Sequence, residues 1–213
     1  MITTLLAATL LAATPSAPPC AVAADTLGAL HASVVTFDQF LADAKQRKET
    51  WTANYEAGLA TDPALVARAD MVSGRWRVLV VAVDSCSDSV HTIPWLAALV
   101  KPLERIDLRV VLPSAGKSVM EAHRTHDGRA ATPTVLLLDE AGEVRGCIIE
   151  RPQVLVDWLA APPDSLKEQN TYQRKMAWYA ADSGQAIRAE FVAMLEAAER
   201  GERQCTMAPR AGE

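Results

Sequence analysis

The chain has 213 residues, of which 50% are hydrophobic and 22% charged, with a formal net charge of -5. That length suits one domain with additions and a sizeable core, and the composition is that of an ordinary globular protein. An acidic balance without a basic cluster argues against nucleic acid as a partner, and no solenoid repeat or low-complexity tract interrupts the text.

The first stretch, MITTLLAATLLAATPSAPPCAVAAD, is apolar, small and almost uncharged. Leu5 to Ala13, followed by prolines and Ala21-Val22-Ala23, has the shape of a secretory h-region with an A-x-A cleavage site, although no Lys or Arg precedes it. The run is too short and too broken by proline to span a bilayer, so no stable membrane insertion is expected. Residues 1–24 are read as a signal peptide and the protein as periplasmic or secreted; a misassigned start would leave it cytoplasmic. Cys20 raises a lipid-anchor reading, which Pro18 and Pro19 oppose because a lipoprotein signal uses small residues there.

Residues 25–70 form an N-terminal helical segment. From Thr36, a plausible N-cap, Phe37, Leu41, Ala44 and Trp51 recur at helical spacing with Phe40 alongside, which predicts one helix. Asp62 followed by Pro63 opens another. WRVLVVAV, from Trp76, reads as a buried strand. The next helix is expected to begin near Thr92, with Pro94 tolerated in its first turn and Pro102 at its end. IDLRVVLP is a second strand, KSVMEAHRTHD a short helix closed near Gly128, and PTVLLLD a third strand that turns through EAG into a hairpin partner, EVRGCIIE. RPQVLVDWLA is a further helix ending before Pro162.

Residues 163–203 read as a helical extension with two stripes, one of Tyr172, Met176 and Tyr179, the other of Ile187, Phe191, Leu195 and Ala198. The tail over 204–213 has no pattern and is expected to fray. Strands joined by helix-length connections imply parallel pairing, and the hairpin adds an antiparallel edge. The core over 71–162 is therefore α/β, a mixed sheet flanked by helices.

The cysteines are Cys20, Cys86, Cys147 and Cys205. Cleavage after Ala23 leaves three, and an odd number leaves a free thiol or an intermolecular bridge. Spacings this wide do not suit zinc, and neither a metal nor a cofactor is expected. Cys147 reads as core or edge packing. A bridge from Cys147 to Cys205 stays open in an oxidising compartment, because spacing does not fix connectivity. His123 and His126 lack a third ligand and read as a solvated helix face. Tyr172, Met176 and Trp178 read as the packing face of the extension rather than a ligand cage.

The stretch VLVVAVDSCSDSVHTIPWL carries the chemistry. Cys86 stands where a strand becomes a helix, the end of a sheet at which α/β active sites gather. A thiol there faces unpaired N–H groups and the positive end of the helix dipole, which favour thiolate. Ser87 and Ser89 offer hydrogen bonds to the sulfur, and a protonated His91 would help, whereas Asp84 and Asp88 oppose it. The competing reading is an inert, buried cysteine.

From about Trp76 to Leu159 the chain resembles the thioredoxin superfamily. Within it, S-C-S-D-S over Ser85–Ser89 followed by Ile93-Pro94 is similar to a bacterial group of thioredoxin-like proteins whose active-site turn reads W-C-x-D-S or W-C-x-D-C. ATPTVLLLDEAGEVRG matches the element where thioredoxins place a cis-proline, and KMAWYAADSGQ, Lys175 to Gln185, looks like the C-terminal helix of that group. The resemblance implies a thioredoxin-like three-layer α/β/α fold and a cis Thr132-Pro133 bond against Cys86, with Thr132 aligning an extended substrate as an added strand. Two positions depart: Ser85 replaces the usual tryptophan, and Ser89 replaces the resolving cysteine.

The function expected is thiol–disulfide exchange through Cys86 alone, with Ser89 bonding the sulfur, Thr132 and Pro133 binding substrate, and Asp88 and His91 as modulators. Protein or glutathione thiols and disulfides would be the partners, and an external thiol would resolve the mixed disulfide. The alternative is a non-catalytic binding or chaperone-like module that uses the cis-proline groove. A peroxidase is less well supported, since the P-x-x-x-T-x-x-C frame is absent before Cys86.

Overall fold

The computed structural model describes residues 23–60 and 62–205. Nearly all of the expected signal peptide, with Cys20, lies outside the described residues, as does most of the expected tail. In chain order the elements are α1 (Ala24–Ser33), β1 (Val35–Thr36), α2 (Phe37–Asp43), α3 (Lys48–Gly58), α4 (Pro63–Met71), β2 (Trp76–Val81), α5 (Ser87–Val100) and β3 (Ile106–Val111). They continue with α6 (Lys117–Ala122), β4 (Thr134–Leu138), β5 (Val144–Ile149), α7 (Gln153–Ala160), a 3-10 turn (Asp164–Leu166), α8 (Thr171–Asp182), α9 (Gln185–Glu199) and β6 (Gln204–Cys205).

The six strands form one mixed sheet in the order β1-β3-β2-β4-β5-β6. Alternate side chains of the central strands feed two cores, as a pleated strand buried on both faces requires. Val78 and Val80 join Trp51, Leu96, Leu99 and Phe191 on one face. Leu79 and Val81 join Leu27, Val119, Leu136 and Leu138 on the other. The α9 residues Ile187, Phe191, Leu195 and Ala198 are all buried, as their spacing predicts. Each large apolar side chain that is fully buried here contributes roughly 1.5–3 kcal/mol of transfer free energy.

Local signals explain several boundaries. Thr36 and Gln39 make a reciprocal capping box at the start of α2. Asp62 accepts from Ala64 N at the start of α4, with Pro63 just inside. Gly142, at φ 83, turns the β4–β5 hairpin where a Cβ would collide with Ala24 O.

Other expectations are corrected. The single helix expected from Thr36 to Trp51 is two, because Lys45 N and Gln46 N donate to Asp84 Oδ2 at 2.7 and 2.8 Å and pull the chain out of helical register, with Arg47 at φ 52. The helix expected near Thr92 begins at Ser87, which places Pro94 inside it. Proline has no N–H for Val90 O, and Asn54 Nδ2 on α3 donates to that buried carbonyl instead at 2.8 Å. A side chain remote in sequence thus makes the internal proline tolerable.

Parallel pairing holds for β2 with β3 but not for β4, which is antiparallel to both β2 and β5. Helix α6 has six residues and rises about 9 Å, too little to return along strands of about 20 Å. The chain therefore enters β4 at the end where β2 finishes, with Thr134 opposite Val81. Helix α6 also ends before its histidines, so His123 is buried and bonds Val119 O at 2.9 Å rather than lying on a solvated face. Gln204–Cys205 is a strand, not a frayed end. It sets Cys205 opposite Cys147, and the two are joined as a disulfide.

Candidate active site around Cys86

The topology brings the end of β2 and the start of β4 to one edge of the molecule, and that convergence makes the site. Cys86 is the N-cap of α5, and its Sγ accepts from Ser89 N at 3.4 Å. The sulfur thereby takes up one of the N–H groups that a helix start leaves unpaired. Its S–H donates to Thr132 O at 3.2 Å, and the Thr132-Pro133 bond is cis. Among the described residues Cys86 is the free cysteine, and it is partly exposed. Cys86, Ser89, Thr132 and Pro133 are thus gathered at one point.

Two of the expected roles differ. Ser89 meets the sulfur through its backbone N–H; its hydroxyl is fully buried and has no hydrogen-bond partner among the described residues. His91 stacks on Tyr179, with ring centroids 5.0 Å apart. Burial, helped by the Arg47 charge, holds the His91 imidazole below its ordinary value, so at neutral pH it brings no positive charge to the thiol.

The cations come from elsewhere. Asp88, in the first turn of α5, is only 5% exposed. Its Oδ2 accepts from Lys175 Nζ at 2.7 Å, and its Oδ1 accepts from Tyr179 OH at 2.8 Å and Arg151 Nε at 3.2 Å. Lys175 Nζ also donates to Ser87 Oγ at 3.2 Å, and Arg151 Nη2 to Glu150 Oε1 at 3.0 Å. Burial and the Asp88 charge push the Tyr179 phenol far up, so it stays a donor. Burial works against the Arg151 charge, but Asp88 outweighs it and raises that guanidinium.

The other flank of the turn is held differently. The Asp84 carboxylate accepts from the two backbone N–H groups at the α2–α3 break, Gln46 foremost, and these hold it below the usual carboxylate range against the effect of burial. Trp51 Nε1 donates to Asp84 O at 3.0 Å and Arg47 Nε to Ser85 O at 2.9 Å. Among the described residues no group of three His, Cys, Asp or Glu side chains is placed to hold a metal ion.

Lys175 and Tyr179 escaped the sequence reading as site residues. A charged residue within a helical stripe reads as solvated, and nothing in the spacing says which element the stripe faces. The similarity of Lys175–Gln185 to a family helix was the one available signal.

A cysteine capping a helix beside a cis-proline, on a mixed sheet of this order, defines a thioredoxin-like protein. The family model described as thioredoxin matches residues 34–170, and the chain belongs to that family. A crystal structure of a protein of unknown function from Pseudomonas aeruginosa is similar over 79% of this chain and 96% of its own, with 23% identity and a TM-score of 0.62. An HIV epitope scaffold matches over the same shares, with 19% identity and a TM-score of 0.62. Both likenesses concern the fold. No curated protein matches.

Proposed function

We propose that the protein is a monothiol thiol–disulfide exchange protein of the kind with a C-x-D-S turn. The observation that carries this is Cys86 Sγ at the N-cap of α5, partly exposed and 3.2 Å from Thr132 O beside the cis-proline. The Cys86 thiolate attacks one sulfur of a substrate disulfide, forming a mixed disulfide and releasing the other sulfur as a thiolate. Ser89 has no thiol with which to expel the bound half. An external thiolate such as glutathione then attacks the mixed disulfide, frees Cys86 and leaves as the new disulfide.

Thr132 supplies backbone groups for an extended substrate. A cavity of about 250 Å³, lined in part by Arg129, Glu150, Arg151 and Glu190, adjoins the cis-proline, since Glu150 N donates to Pro133 O at 2.7 Å. It offers room for residues flanking the target disulfide. The Cys147–Cys205 disulfide supports an oxidising compartment, periplasmic or secreted, over the cytoplasm.

Intact-mass analysis after incubation with oxidised glutathione tests the reading. The expected result is one glutathione adduct, mapped to Cys86 and released by a second thiol. An unmodified Cys86 in folded protein, at a pH where free thiols react, refutes it. Ser89→Cys is expected to form an internal disulfide with Cys86 and to release mixed disulfides unaided.

The second reading, a binding or chaperone-like module without turnover, draws on Ser85 and Ser89 standing where the family has tryptophan and cysteine. In that case Cys86→Ala would retain all partners.

A further inference from the structure

We infer that Lys175, a residue of the C-terminal extension, is a positioning residue that sets the reactivity of Cys86 through Asp88. The inference rests on Cys86 being the nucleophile of the proposed exchange, and it says which charges let that nucleophile work.

Asp88 lies two residues beyond the sulfur, at the second position of α5. A carboxylate in a first helical turn suits the helix dipole. The same charge next to a developing thiolate opposes it, and more strongly in a buried setting than in water. Asp88 is buried, so solvent does not screen it. The protein neutralises it instead: Lys175 Nζ stands 2.7 Å from Oδ2 and Arg151 Nε 3.2 Å from Oδ1.

Arg151 is shared with Glu150, and Glu150 is shared in turn with Arg129, which also pairs with Asp127. Among the described residues Lys175 has no second carboxylate in its ion pairs, and it is itself only 7% exposed. It is therefore the cation committed to Asp88. Among the described residues, the other groups facing the turn are Tyr179 from α8, the neutral His91 on α5, and Arg47 and Asp84 on the N-terminal flank, while the Tyr172 ring centroid lies 5.7 Å from Lys175 Nζ. None of them replaces the ammonium at Asp88, because Tyr179 is neutral and the Arg47 guanidinium bonds Ser85 O rather than the Asp88 carboxylate. The contact of Lys175 Nζ with Ser87 Oγ, one residue from the sulfur, ties the same cation to the first turn of α5.

The test is the pH dependence of Cys86 alkylation by iodoacetamide, with modification at Cys86 read by peptide mass. Alkylation needs only an accessible thiol, so it succeeds or fails independently of the glutathione experiment. Lys175→Met is expected to slow alkylation roughly threefold to tenfold near neutral pH and to move the profile upward by about half to one pH unit. Lys175→Arg is expected to restore most of the rate. The double variant Asp88→Asn/Lys175→Met removes both charges and is expected to react at least as fast as the parent, in protein shown to be folded by its cooperative melt.

A merely structural role for Lys175 predicts the opposite, that the double variant is as slow as Lys175→Met or slower. That result overturns the inference, as does an unchanged profile in Lys175→Met or a parent protein whose Cys86 resists alkylation across the tested range. If Lys175→Met does not fold, the comparison of Asp88→Asn with the parent decides: faster alkylation supports the inference, and an equal or slower rate overturns it.

Discussion

Two aspartates flank Cys86 at equal distances in sequence, and the fold treats them in opposite ways. Asp84 keeps contact with solvent and is held by backbone N–H groups of the α2–α3 break. Asp88 is buried and is held by side-chain cations and a phenol, two of these partners lying on α8. One carboxylate shapes the chain around it; the other needs the chain to bring charges to it. Backbone donors come with any helix break, whereas a buried carboxylate without its cations would be far costlier. The lesson is that the N-terminal flank fixes the geometry of the thiol turn, and the C-terminal extension fixes its electrostatics.

The largest effect should come from depriving the buried aspartate of a partner. Lys175→Met is expected to lower the unfolding free energy by about 3 kcal/mol in denaturant titrations. Asp84→Ala removes two hydrogen bonds to a partly solvated carboxylate and is expected to cost about 2 kcal/mol. Equal losses at the two positions would break the comparison. Asn54→Leu leaves the buried Val90 carbonyl without a donor and is expected to cost about 1–2 kcal/mol, with little change in Cys86 alkylation if the N-terminal flank acts by geometry alone.

The smallest expected effect is on pH dependence. Burial holds His31, His91 and His123 below the ordinary value of 6.5. The unfolded chain thus binds protons that the native state excludes, so this part of the stability is present above pH 6.5 and is lost as pH falls below it. Melting temperatures should decline from neutral toward mildly acidic pH, and His91→Phe, which keeps a ring against Tyr179, should flatten the decline. A His91→Phe slope as steep as the parent's would show that this ring plays no part in the loss.

Sequence pattern and structure agree best where a signal and its partner lie close together. The Thr36–Gln39 capping box, the Asp62-Pro63 start and the α9 stripe are all short-range patterns that survive into the structure. The cis bond before Pro133 was foreseen from family resemblance, not from spacing. What escaped was the long-range chemistry. The break at Arg47 depends on a carboxylate 37 or more residues away. The early start of α5 goes with a proline whose orphaned carbonyl is satisfied from α3. Lys175 has no site role in the sequence alone because its partner lies 87 residues earlier in the chain. Cys147 looked like packing until β6 placed Cys205 opposite it.

The Cys147–Cys205 disulfide also changes the chain's connectivity. It ties two points separated by 58 residues, and the segment between them contains α7, α8 and α9. Helix α8 is therefore part of a covalent ring anchored in the sheet rather than a length of loose C-terminal chain. Closing a ring of that size limits the unfolded ensemble by about 4 kcal/mol in the chain-entropy account. Even when the end of the molecule opens, Lys175 and Tyr179 stay tethered within reach of the thiol turn they support.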